Sequence, residues 1–198
     1  MMLQFVKYFW KVAILSIALN VSVVANAQEK GDMAVGLNIL GGYGNEIPEA
    51  GIGTKFLYNV TNPIRLSGEF DILWGVKSSS ELGSLIPITT TINTKWKEFS
   101  VYGHYLFSID DGSFLATPIV YPLVGLGIMN LDTSIEVLGY KVSKSSSESM
   151  SKVVLSLGGG MEGHFKKNDK LFYAVQARLK IVEEGTRVHV VVGIGYKF

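Results

Sequence analysis

The chain of 198 residues contains no cysteine. That excludes disulfides, thiol chemistry and the residue on which a lipoprotein anchor is built. Charge is scarce at 18%, and no basic stripe of the kind that follows a nucleic-acid backbone is present, so no nucleic-acid partner is expected. There are only 3 histidines, and none forms a local ligand motif such as a helical His-x-x-x-His; neither a metal nor a cofactor is expected. Long apolar runs are few. Val12 to Val24 is too short to span a bilayer comfortably and is broken by Ser16, Asn20 and Ser22. Phe114 to Leu131 is uncharged and long enough, but Pro118 and Pro122 would break a helical ladder and Gly125 and Gly127 would weaken it. A helical membrane protein is thereby set aside.

The first of those runs has a different meaning. Lys7 and Lys11 precede it and Ala25-Asn26-Ala27 follows it, the three-part pattern of a secretory signal peptide cleaved after Ala27. Residues 1–27 are expected to be removed and residues 28–198 to form one exported domain. Cleavage takes away two lysines and no acid, so 18 Lys+Arg become 16 against 17 Asp+Glu, and the mature chain is close to neutral. Glycine is abundant at 22 residues and aromatics reach 11%, a mixture that suits a β-rich membrane protein.

The strongest signal is alternation. From Arg187 to Phe198, Val188, Val190, Val192, Ile194, Tyr196 and Phe198 share one face, while Arg187, His189, Val191, Gly193, Gly195 and Lys197 share the other. An apolar face turned outwards and a polar one turned inwards is what a transmembrane barrel needs. The same polarity recurs along the chain. Met33 to Tyr43, Ile52 to Asn59, Ile64 to Val76, Glu98 to Phe107, Phe114 to Leu131, Lys152 to Phe165 and Leu171 to Ile181 complete a set of eight strands. Turns are expected at Gly44 to Glu49, Thr61 to Pro63, Asp110 to Gly112, Lys167 to Lys170 and Glu183 to Gly185. Two long connections, 77–93 and 130–151, are expected as outer loops, the second with a small hairpin over Ser134 to Val142. The fold class is therefore all-β, an eight-stranded antiparallel up-and-down transmembrane barrel. With both termini on the periplasmic side, Tyr58, Phe107, Phe114, Phe165, Tyr173 and Tyr196 all fall at the lower strand ends on the outward parity, as an interfacial aromatic ring does.

The inward parity gathers Arg65, Glu69, Asp71, Glu98, His104, Glu162, His164, Arg178, Lys180, Arg187 and His189. An eight-stranded barrel is just wide enough for its side chains to fill, and buried charges must pair, so these residues read first as an interior ion-pair network, against a functional cavity or a narrow pore. Ser100, His104 and Asp71 can be assembled on paper into a nucleophile, base and orienting acid, but no spacing signature supports it. Gly41-Gly42-Tyr43-Gly44 and Gly158-Gly159-Gly160 lack phosphate-loop spacing, and Asp110-Asp111-Gly112 lacks the downstream oxygens of a calcium loop.

From signal peptide to last residue the chain resembles the small outer-membrane β-barrels, OmpA-like transmembrane domains and OmpX-like proteins. The terminal Gly193-Ile-Gly-Tyr196-Lys-Phe198 looks like the signal read by the barrel-assembly machinery, with Gly193, Tyr196 and Phe198 at the matching positions and Val191 where the family pattern has a polar residue. Pro122-Leu-Val-Gly125-Leu-Gly127 resembles a recurrent strand of these proteins. The resemblance implies residence in the outer membrane, contact with its lipid and with the assembly machinery, and a monomeric state. The function expected is structural or loop-mediated binding and adhesion, through 77–93 and 130–151, to an extracellular protein or surface ligand, without enzymatic activity and without a wide pore. The alternatives are an envelope enzyme acting on lipid A or phospholipid, a narrow channel for small solutes, and a soluble lipocalin-like carrier.

Overall fold

The computed structural model describes residues 29–44, 47–82, 87–108, 118–139, 142–165, 168–183 and 185–198, with backbone alone for 78–82, 87–89, 136–139 and 142–148. The proposed signal peptide, Phe114 and the Asp110 to Gly112 turn lie outside the described residues. Eight strands close into one antiparallel barrel: β1 (Met33–Gly44), β2 (Ile47–Asn59), β3 (Ile64–Leu82), β4 (Pro87–Tyr105), β5 (Ile119–Gly139), β6 (Val142–Phe165), β7 (Asn168–Val182) and β8 (Gly185–Lys197). A two-residue piece, Phe107–Ser108, prolongs β4 past Leu106 and pairs with the start of β5. Each strand pairs with the next in sequence, and β1 pairs with β8 to close the ring. Closure leaves no open edge within the barrel wall, which lipid could not tolerate.

The stagger sets the tilt. A path of paired residues that leaves β5 at Leu131 runs through Trp96, Leu73, Gly51, Leu40, Val191, Gln176 and Gly160 and returns to β5 at Tyr121, ten residues lower. With a rise of about 3.3 Å per residue and strands about 4.8 Å apart, that shear inclines the strands by about 40°. Ile64 to Trp74 then covers about 25 Å along the barrel axis, the height of an apolar membrane belt.

Alternation fixes the two faces. Leu37 is 64% exposed and Ile39 69%, whereas Asn38 between them is 2% exposed. The outward set of β3 (Ile64, Leu66, Phe70, Trp74, Val76) and of β8 (Val188, Val190, Val192, Ile194) is exposed in the same way. The register of β5 also follows the sequence parity, with Ile119, Tyr121 and Leu123 buried and Val124, Leu126 and Ile128 outward. Its inner face is apolar because Tyr121 and Leu123 pack with Tyr102 and Leu106 at the lower end of the barrel.

Three sequence expectations need correction. The described residues of 77–93 and 130–151 are strand, not loop: β3 continues to Leu82 and β4 starts at Pro87, while β5 continues to Gly139 and β6 starts at Val142. Unbroken pairing, from Lys77↔Ile92 to Leu82↔Pro87 and from Thr133↔Glu148 to Gly139↔Val142, explains this, since Thr, Ile and Val favour an extended ladder. The Gly44 to Glu49 turn is shorter than expected, because Ile47 to Glu49 already pair with β1. Asn168 to Lys170 likewise belong to β7. The result is an uneven barrel. β1, β2, β7 and β8 have 12, 13, 15 and 13 residues, whereas β3 to β6 have 19, 19, 21 and 24. The four long neighbours stand above the rest as a wall about 20 Å high.

Candidate functional site

The sequence offers its charges to the inside, and the structure sorts them into tiers. Lowest, Arg65 donates to Glu162 through Nη1 (2.7 Å) and to Asn59 Oδ1 through Nε (3.0 Å), and His164 Nε2 lies 3.9 Å from Glu162 at the half-open lower mouth. Above this, Arg178 donates through Nη2 to Glu69 (2.7 Å), through Nη1 to the Tyr102 hydroxyl (3.2 Å) and through Nε to Gln176, while its guanidinium lies 4.5 Å from the Tyr102 ring centroid. Glu69 accepts further bonds from Asn38 and Ser67, both at 3.3 Å, and Ser67 meets His104 Nε2 at 2.9 Å.

Higher again, Lys180 pairs with Glu98 at 2.8 Å, and Ser100 donates to the same carboxylate at 2.6 Å. Asp71 lies 3.8 Å from Lys180 and 3.9 Å from Arg178 Nη1, between the two tiers. At the top, Glu49 receives Arg187 (3.0 Å) and His189 (2.6 Å), and the Arg187 guanidinium stacks 4.4 Å over Trp96.

The structure brings all eleven candidate interior residues inside the barrel, and ten of them are buried. It also adds Glu49, Lys55 and Lys152, which the sequence reading leaves outside the network. Lys55 and Lys152 already carry the inward parity. Glu49 is hidden by the turn assignment, although it falls in phase with Gly51, Gly53 and Lys55. With these included, six buried cations face five buried acids among the described residues, so the described interior is nearly balanced before the histidines are considered.

Apolar clusters lie beside this polar column at both ends. Leu73, Trp96, Met129, Val154 and Val182 pack across the top with Leu40 and Val191. Leu106, Ile119 and Leu123 with two tyrosines, and Ala34 with Leu57 and Phe172, pack across the bottom. The void at the lower end, beside Arg65, Glu162 and His164, measures about 10 Å³, room for about one water. The paper assembly of Ser100, His104 and Asp71 does not form: Ser100 donates to Glu98 and His104 meets Ser67. Among the described residues no cluster suited to a metal ion is present.

The outer surface carries the remaining candidates. At the lower end Phe165 stacks edge-on with Tyr173 (5.5 Å), Tyr196 with Phe198 (5.8 Å), and Tyr105 lies 4.8 Å from Phe107, while Tyr58 is exposed on β2. Gly193 is buried in β8 against Asn38, and Phe198 extends one residue beyond that strand, its backbone N–H bonded to the Met33 carbonyl at 2.9 Å.

A filled polar interior, an aliphatic outer belt and eight staggered strands define the class: this is the fold of the small eight-stranded outer-membrane β-barrels. Solved structures with that fold include Ail, the attachment invasion locus protein of Yersinia pestis, at a TM-score of 0.51 and 19% identity, covering 85% of this chain and 99% of that one. The N-terminal β-barrel domain of Pseudomonas aeruginosa OprF matches at a TM-score of 0.51 and 12% identity, covering 86% of this chain and 100% of that one. Ail solved with the heparin analogue sucrose octasulfate matches at 0.50 and 18%, over 85% and 99%. No family model matches the chain, and no curated protein matches it in sequence.

Proposed function

We propose that this chain is a non-enzymatic integral protein of the outer membrane, in which a filled barrel anchors a raised β wall that binds a partner outside the cell. In this reading the signal peptide is cleaved after Ala27, and Gly193, Tyr196 and Phe198 are read by the assembly machinery. The lower aromatics sit at the periplasmic interface, and the folded barrel is a monomer. The charge network holds the strands in register and has no catalytic task.

The observation that carries the reading is the combination of buried, ion-paired charges inside the barrel with strands prolonged on one side only. Residues 76–82 of β3 and 142–154 of β6 have no strand on their outer side among the described residues, because pairing with β2 stops at Gly75 and pairing with β7 stops at Leu155. Such edges suit an extended segment of a partner protein, which would add a strand through main-chain hydrogen bonds. Attachment, the role that Ail's name states for that protein, is the kind of task a presented edge serves.

The test is fractionation of cells expressing the full chain, followed by gel migration with and without boiling. A membrane-embedded protein beginning at Gln28 whose band shifts on boiling is expected. Replacing 78–86 and 135–147 by tight turns should keep that shift and abolish binding of cells to surface partners. Recovery in the soluble periplasm without a shift overturns the membrane reading; loss of the shift on shortening overturns the division between anchor and wall.

A further inference from the structure

The outward face of the barrel is uncharged over most of its circumference, and the exception is local. Among the described residues, the cations that β1 to β8 turn outwards at the upper edge of the belt are Lys95 and Lys97, two residues apart on β4 and both exposed. Alternate residues of a strand share a face and sit about 7 Å apart, so the two ammonium groups reach the same patch of surroundings. The row directly below is wholly apolar: Phe70, Phe99, Ile128 and Val153 are paired across β3 to β6 and exposed. Elsewhere the upper end of the belt carries neutral residues such as Tyr43, Ala50 and Thr186, and the acid Glu183 just past β7.

The pair is flanked by groups suited to a sugar. Lys95 is paired with Trp74 on one side and with Asp132 on the other. Trp74, 43% exposed, offers a flat ring at the depth where lipid headgroups begin. Lys97 lies opposite Asn130, whose Oδ1 accepts a hydrogen bond from Ser151 Oγ at 2.7 Å, leaving the amide nitrogen as a donor. Just above, a groove of about 510 Å³ runs along the outer face of the wall between Trp74 and Asp132, bordered by Asn93, Ser134 and Ser149. Its chemistry is one aromatic platform among hydroxyl, amide and carboxylate groups, with Lys95 and Asp132 facing each other at its foot.

We propose that this face seats the headgroup of a phosphorylated glycolipid of the outer leaflet, with its phosphate on Lys95 and Lys97 and its sugar in the groove beside Trp74. The assignment rests on the orientation proposed above, in which the wall is extracellular and the belt below it meets acyl chains. Charge complementarity selects the phosphate: two lysines held at the lipid boundary attract an anion by about a factor of five each. Asp132 stands directly opposite Lys95, where it accepts hydrogen bonds from sugar hydroxyls, and its carboxylate leaves the two lysines a net charge suited to one phosphate and not to a second. A plain anionic phospholipid would satisfy the lysines and leave the groove unused.

The full mature chain is refolded into phosphatidylcholine vesicles, alone, with a phosphorylated lipopolysaccharide of minimal sugar content, or with phosphatidylglycerol. The apparent affinity for each added lipid is read from the rise in the unfolding midpoint. The unaltered protein is expected to prefer the glycolipid over phosphatidylglycerol. The Lys95→Ser, Lys97→Ser double variant should lose about 30-fold in glycolipid affinity, while Trp74→Ala should lose the preference for glycolipid and keep its response to phosphatidylglycerol. Lys170→Ser, at the opposite end, should change neither. Equal glycolipid response in the unaltered and double-variant proteins overturns the proposal, as does equal response to the two lipids. Failure to insert into any vesicle overturns the membrane reading itself and this inference with it, and the boiled and unboiled gel lanes distinguish the two failures.

Discussion

Replacing Arg178 by methionine tests whether the interior is a dry, paired column or a wet passage. Arg178 and Glu69 have fully buried side chains at 2.7 Å. The substitution keeps most of the volume, deletes the cation, and removes the donors to Tyr102 and Gln176. Breaking a buried ion pair by removing one partner costs about 3–5 kcal/mol. Glu69 keeps Asn38 and Ser67 as donors, both at 3.3 Å, and Asp71 keeps Lys180 at 3.8 Å. Those retained partners place the expected loss at the lower end, about 3 kcal/mol.

The measurement is urea unfolding of the vesicle-embedded barrel, with the folded fraction read from gel migration without boiling. At about 2 kcal/mol per molar urea, the midpoint should fall by about 1.5 M. Adding Glu69→Gln removes the stranded anion, so the double variant should recover part of the loss and be more stable than Arg178→Met alone. A shift below about 1 kcal/mol in the single variant would mean that water already solvates the pair. A double variant as unstable as the sum of its parts would show that the two side chains do not interact. Either result refutes the dry, paired column.

Three further outcomes follow from the same geometry. Gly125→Ala places a methyl group against the Tyr102 ring and 2.8 Å from the Val101 carbonyl oxygen, so it should lower stability by about 1–3 kcal/mol; Gly68→Ala, which meets nothing within 4 Å, should be neutral in the same urea series. Trp96→Ala opens the upper apolar cluster and should cost about 3–5 kcal/mol, while the unaltered barrel should carry no steady ion current in a planar bilayer. Tyr196→Ala with Phe198→Ala should reduce the amount of folded barrel in cells and leave the refolding of purified protein in detergent unchanged; equal losses in both settings would remove the assembly role from these residues.

Parity made the barrel legible. A period of two is strict in a strand, so a slip of one residue would have turned Leu37 and Ile39 inwards and Asn38 outwards; the uncharged aliphatic set left one workable register. The wall was not legible for the opposite reason. Ser78 to Ser80 and Thr89 to Thr91 put small polar residues on both parities, so the sequence there loses the contrast between faces that marks a strand. Only the ladder itself, Ser79↔Thr90 and Ser80↔Thr89, reveals that the strands continue. Glu49 was missed at the same kind of boundary. Glycine at 44 and proline at 48 read as turn chemistry, and yet only residues 45 and 46 separate β1 from β2.

The position of Glu49 explains why so short a turn is needed there. It must reach Arg187 and His189 of β8, which lie beyond β1 in the ring, and nothing but glycine stands between them on β1. Gly44 lies against both Arg187 and Glu49, and a side chain on Gly42 would collide with His189. The glycines of the upper β1 therefore serve the charge network by leaving space over which β2 and β8 join hands. Lower down, Arg178 of β7 likewise crosses the lumen to Glu69 of β3, a strand that is not its neighbour in the ring. Barrel width, glycine placement and ion pairing are thus one design. The pairs tie non-neighbouring strands across the lumen, which hydrogen bonds between adjacent strands cannot do, and the barrel so braced can support a wall that rises from only half of its circumference.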